Sequence, residues 1–173
     1  MVAISSPAAA PIYSVTWFGI TVILPLIVLR FLRRFRLISD YTLRERDERT
    51  LPYVVSLVTL GVLVWFMMSH GAEPWLWTIY VGGCATILIN LFVNYRIRVS
   101  NHASGVAALL AMFIALQRSG MILFPLGWWV IGTVVVLGVV GTAAMAVGRH
   151  RFVDVVVGYL TGFLPIILIS LIR

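Results

Sequence analysis

Six stretches of this chain are apolar over close to the ~20 residues that cross a bilayer as a helix. They run over 12–32, 51–69, 75–95, 103–117, 126–147 and 152–172. No water-soluble core of 173 residues could hide a chain that is 61% hydrophobic and 11% charged. The expected fold is therefore all-α: a polytopic membrane protein with six transmembrane helices in one bundle, residues 1–173 forming a single domain. The fourth run is short and is expected to begin within the headgroup layer. Pro52 suits the first turn of its helix, where a missing N–H costs little. Pro25 and Pro165 fall inside apolar runs and predict kinks. Gly158 and Gly162 form a GxxxG pair that permits close helix approach. Residues 1–11 are small and uncharged and lack the basic start of a cleavable signal peptide, so the first helix is expected to be retained.

Six crossings place the segments before the second, fourth and sixth helices on one face: 33–50, 96–102 and 148–151. The basic residues number 13 and all are arginine. Eleven lie at that face (30, 33, 34, 36, 44, 46, 49, 96, 98, 149 and 151) and two, 118 and 173, at the other. Arginine excess marks the cytoplasmic side, so this face is expected in the cytoplasm, the termini opposite, and the membrane a prokaryotic plasma membrane. Trp75, Trp77, Trp128 and Trp129 fall near the second face, as an aromatic belt does. The net charge of +7 thus reads as a topology signal, and no nucleic-acid partner is expected. Cys84, alone in an apolar run, can form no intramolecular disulfide.

The arginine-rich face also collects polar residues that helix packing does not require. The first loop contains Arg44-Glu-Arg-Asp-Glu-Arg49, which read alone is a solvated, salt-bridged collar. Before the fourth helix comes Val99-Ser100-Asn101-His102, where a serine or asparagine can cap the helix. The same helix end points free N–H groups and a positive dipole at any bound anion. Before the sixth comes Arg149-His150-Arg151, with Asp154 four residues after the histidine. At that spacing both side chains are expected to project from one helical face, and the carboxylate can then hold the imidazole in one tautomer. Two histidines, many arginines and helix N-termini on one face describe a receptor for phosphate. One histidine can attack phosphorus while the other protonates the leaving oxygen. The acidic residues are interleaved with arginines and form no metal cage, so neither metal nor other cofactor is expected.

These residues resemble the integral-membrane type 2 phosphatidic acid phosphatases. Their motifs run Lys-x6-Arg-Pro, Pro-Ser-Gly-His and Ser-Arg-x5-His-x3-Asp. Arg44 with Leu51-Pro52 follows the first spacing, 99–102 the second, and His150 with Asp154 the third. Leu51 and Ala144 stand where the family has arginines, and Ala143 where it has serine. The resemblance spans 44–162.

The resemblance implies a metal-independent lipid phosphate or diphosphate phosphatase acting at the membrane surface. His150 would form the phosphohistidine, Asp154 would orient it, and His102 would be the general acid. Arg44 and Ser100 would bind phosphate, with Arg49 and Arg149, or Arg98, standing in for the absent arginines. The substrate class is phosphatidate, phosphatidylglycerol phosphate or polyprenyl phosphate, and membrane lipids are the expected partners. The alternative is a catalytically impaired phosphatase-like protein that binds anionic lipid or a protein partner. A third possibility keeps the phosphohistidine and passes the phosphoryl group to a second alcohol.

Overall fold

The computed structural model describes residues 18–35, 50–118 and 126–172. Among them are six α-helices: α1 (Leu24–Arg34), α2 (Thr50–Ser69), α3 (Pro74–Asn94), α4 (Asn101–Arg118), α5 (Leu126–Ala146) and α6 (Phe152–Leu171). Four of them, α2, α3, α5 and α6, are long and apolar enough to cross a membrane. The other two differ for distinct reasons. Helix α1 has 11 residues. Helix α4 begins Asn-His and ends Gln-Arg, and it packs against both α5 and α6, so protein covers surface that lipid would otherwise meet.

Chain contacts gather the residues into two compact units, one up to Trp77 and one from Thr78 onward. In the first unit a π-helical segment, Gly19–Ile23, runs directly into α1. Pro25 sits in the first turn of α1. Pro25 thus falls just after the change from π- to α-helix, in a first turn where its missing N–H costs little. Pro52 lies in the first turn of α2, as expected. Just past the end of α2 stands Gly71, whose φ of 68° is the left-handed conformation that closes a helix. Ala72 N–H donates to Met67 O at 2.9 Å and Gly71 N–H to Met68 O at 3.2 Å.

The second unit is built on the crossing of α4 and α6. On α4, Ala103, Ala107, Ala111 and Ala115 are buried at helical spacing, with Ser104 among them. On α6 the facing residues are Gly158 and Gly162. A β-carbon on Gly158 would lie 2.8 Å from the Ser100 carbonyl oxygen, and one on Gly162 would collide with the Ser104 carbonyl. The GxxxG pair therefore has a partner: the small-residue stripe of α4. Such close backbone approach is how membrane helices gain dispersion contact without a hydrophobic drive. Helix α3 joins by the same device, with the Gly82 α-carbon facing Ile166 backbone. Asn90 adds a hydrogen bond, its Nδ2 donating to Ser104 Oγ at 2.8 Å. Between α5 and α6, Gly141 makes room for the Tyr159 hydroxyl, which donates to Leu137 O at 2.6 Å. Trp128 and Trp129 are exposed at the start of α5, suited to the interface belt.

Candidate functional site

The α4–α6 crossing brings the second and third polar motifs together at their helix N-termini. After α3 the chain turns through 95–100. Arg96 N–H and Ile97 N–H both donate to Val93 O, at 2.9 and 2.8 Å, and Val99 N–H donates to Ile97 O at 2.9 Å. That last bond closes a three-residue turn with Arg98 at its centre. Val99 and Ser100 are buried on its far side. Ser100 serves as the cap of α4: its Oγ accepts from Ala103 N–H at a long 3.5 Å. Its own N–H donates to Asp154 O at 3.3 Å, which joins the first turn of α6 to the start of α4.

The third motif arrives by a different turn. Helix α5 gives way to Gly148, with φ of 70°, and Gly148 N–H donates to Met145 O at 2.9 Å. A residue with a β-carbon is disfavoured at that angle. The reversal carries His150 back over the end of α5, where its N–H donates to Ala144 O at 3.3 Å. The imidazole is half-buried, and Nδ1 lies 3.1 Å from Arg98 O. A carbonyl oxygen can only accept, so Nδ1 carries the proton. In the neutral ring Nε2 then holds the lone pair, which is the form a nucleophile or base requires.

This geometry corrects the expectation for Asp154. The shared-face argument needs both residues on one helix, but α6 begins at Phe152 and is capped by Arg151 in extended backbone. His150 precedes the helix altogether. The Asp154 carboxylate instead accepts from Arg151 N–H at 2.8 Å, the reciprocal bond of a capping box. Its other oxygen lies 3.8 Å from the Arg151 guanidinium, whose side chain is 82% exposed, so that ion pair contributes little. The hydrogen bond from Nδ1–H goes to a backbone carbonyl that the sequence could not single out, because any residue at position 98 supplies one.

Of the other candidates, His102 is exposed in the first turn of α4. Ser100 is only 1% exposed and is engaged as a cap, which turns its hydroxyl inward. Arg149 is exposed and Arg98 half-buried. Arg44 and Arg49 lie outside the described residues, whereas Leu51 and Pro52 of the first motif fall in the first turn of α2. His70 belongs to the other compact unit, where its Nδ1 lies 2.8 Å from Phe66 O and its ring rests on Phe66. The two joined loops carry Arg96, Arg98, Arg149 and Arg151 against a single carboxylate, Asp154. That excess favours an anion. Searches against protein-family models, curated proteins and solved structures return no match for this chain.

Proposed function

We propose that this chain is an integral-membrane lipid phosphate phosphatase with six spans, working without metal through a phosphohistidine. The observation that carries the reading is the bond from His150 Nδ1 to Arg98 O at 3.1 Å, beside a basic loop pair and two helix N-termini. His150 Nε2 attacks phosphorus, and the P–O bond to the lipid alcohol breaks. His102, as the acid, gives its proton to the departing oxygen. Water, deprotonated by the same histidine, then cleaves the P–N bond, releases inorganic phosphate and frees His150. Arginine forks and helix-end N–H groups stabilise charge on the equatorial oxygens. The substrate lies in the cytoplasmic leaflet, tail between helices and headgroup at the arginine-rich face; phosphatidate, phosphatidylglycerol phosphate and polyprenyl phosphates all fit that description.

A second reading, an inactive binder of anionic lipid, is favoured by one observation. Ala144 stands where the resemblance asks for an arginine, and its carbonyl is engaged by His150 N–H. Loss of one transition-state donor commonly costs about 3–4 kcal/mol. The deciding experiment is phosphate release from a panel of lipid phosphates in micelles, with chelator present, beside His150→Ala. Release that survives chelator and disappears in the variant supports the phosphatase. No release from any lipid, with unchanged binding of anionic vesicles by both proteins, overturns it in favour of the binder.

A further inference from the structure

Helix α3 presents an unusual face to its neighbours. Thr78, Gly82, Thr86, Asn90 and Asn94 recur every fourth residue and all are buried. Polar groups inside a membrane span are costly unless satisfied. Asn90 uses its amide N–H₂ on Ser104. Two atoms of the face have no hydrogen-bond partner among the described residues: Thr86 Oγ1 and Asn90 Oδ1. Other helical threonines behave differently. Thr59, Thr133 and Thr142 each donate to the carbonyl four residues back, at 2.8, 2.7 and 2.8 Å. Thr86 makes no such bond, although its residue is only 6% exposed, and Asn90 is 4% exposed.

The two oxygens lie one turn apart on one face, where side chains stand about 5–6 Å from each other. At that separation one molecule can be within hydrogen-bond distance of both oxygens. It must donate to the amide oxygen, and it can donate to or accept from the hydroxyl. Tight burial favours the smallest species with that chemistry. We infer that Thr86 and Asn90 form an intramembrane binding site for one small hydroxylic molecule, a water, shared between the two side chains. Because Asn90 also holds Ser104 of α4, the bound molecule stiffens the attachment of α3 to the α4–α6 pair. Its position, about 6–12 Å along the helix from Asn94, separates it from the surface loops that carry His150.

The test is a double-mutant cycle on the full chain in lipid-free detergent, using Thr86→Val, Asn90→Leu and the pair. Neither oxygen bonds the other directly, and because neighbours one turn apart also couple through packing, the same cycle is run with Thr86→Ser, which keeps the hydroxyl and so isolates the ligand's share. Thr86→Val is expected to lower the folding equilibrium about tenfold, and Thr86→Ser, which keeps the hydroxyl, to lower it far less. The double variant is expected to lose at least fivefold less than the product of the single losses. If Asn90→Leu fails to fold, the valine and serine variants at position 86 carry the test alone. A neutral or stabilising Thr86→Val, or losses that multiply independently, would show the oxygens are simply orphaned and would overturn the site. Coupling that arises only after a hydroxyl-bearing lipid is added would overturn the assignment to water.

Discussion

Replacing Gly162 by alanine tests the seam that brings the two motifs together. The new methyl group would collide with the Ser104 carbonyl oxygen and lie 2.8 and 2.9 Å from the Ser104 carbonyl carbon and α-carbon. Ordinary carbon contacts are 3.5–4.0 Å, so roughly 0.6–1.2 Å of overlap must be relieved. The obstacle is helix backbone, which cannot swing aside as a side chain would. Overpacking of this kind costs about 1–3 kcal/mol, and backbone against backbone belongs at the upper end. Alanine is the better helix former by about 1 kcal/mol, so a net loss of about 1–2 kcal/mol is expected. Gly105→Ala on α4 is the control, because a β-carbon there meets nothing within 4 Å. It should be neutral or stabilising by up to ~1 kcal/mol. Reversible unfolding by denaturing detergent in mixed micelles measures both. If the proposed phosphatase reading holds, the Gly162 variant should also lose phosphate release, since parting the helices separates Ser100 N–H from Asp154 O. If Gly162→Ala unfolds no more readily than Gly105→Ala, the seam is not where the structure places it.

Other perturbations probe the loops and the second seam. Gly148→Ala should cost about 1–2 kcal/mol from its left-handed backbone alone, with Gly148→Asn milder; thermal melts in micelles would rank them. Asp154→Ala removes the acceptor for Arg151 N–H and should cost about 0.5–2 kcal/mol, whereas Asp154→Asn keeps an acceptor and should lose less of both stability and activity. An equal, complete loss of activity in Asp154→Asn would instead place the carboxylate charge in the chemistry. Tyr159→Phe should cost about 0.5–1.5 kcal/mol through its lost bond to Leu137 O. Gly141→Ala, which drives a methyl into that hydroxyl, should be relieved in part by Tyr159→Phe, a non-additivity readable from four unfolding curves.

Much of the architecture was legible because membrane helices announce themselves by length and apolarity. The expected runs at 51–69, 75–95, 126–147 and 152–172 match α2, α3, α5 and α6 within a residue or two. The capping role of Ser100 was readable too, from a short polar side chain before an apolar run. The relation of His150 to Asp154 was not. A spacing of four implies one face only inside a helix, and the left-handed turn at Gly148 with the cap at Arg151 leaves His150 outside α6.

Sequence alone determined that this chain makes apolar helices, where most of them begin and end, and which residues at one end carry ionisable groups. Those properties depend on composition and local periodicity, which neighbours in the chain set for themselves. Only the tertiary structure decided that Gly158 and Gly162 fit the α4 stripe, that Thr86 and Asn90 share a buried face, and that the Arg98 carbonyl meets His150. The physical reason is that a helix pattern shows which residues share a face but not what packs against it: the GxxxG pair permits close approach without naming the α4 stripe, and a backbone acceptor such as Arg98 O has no side-chain signature at all.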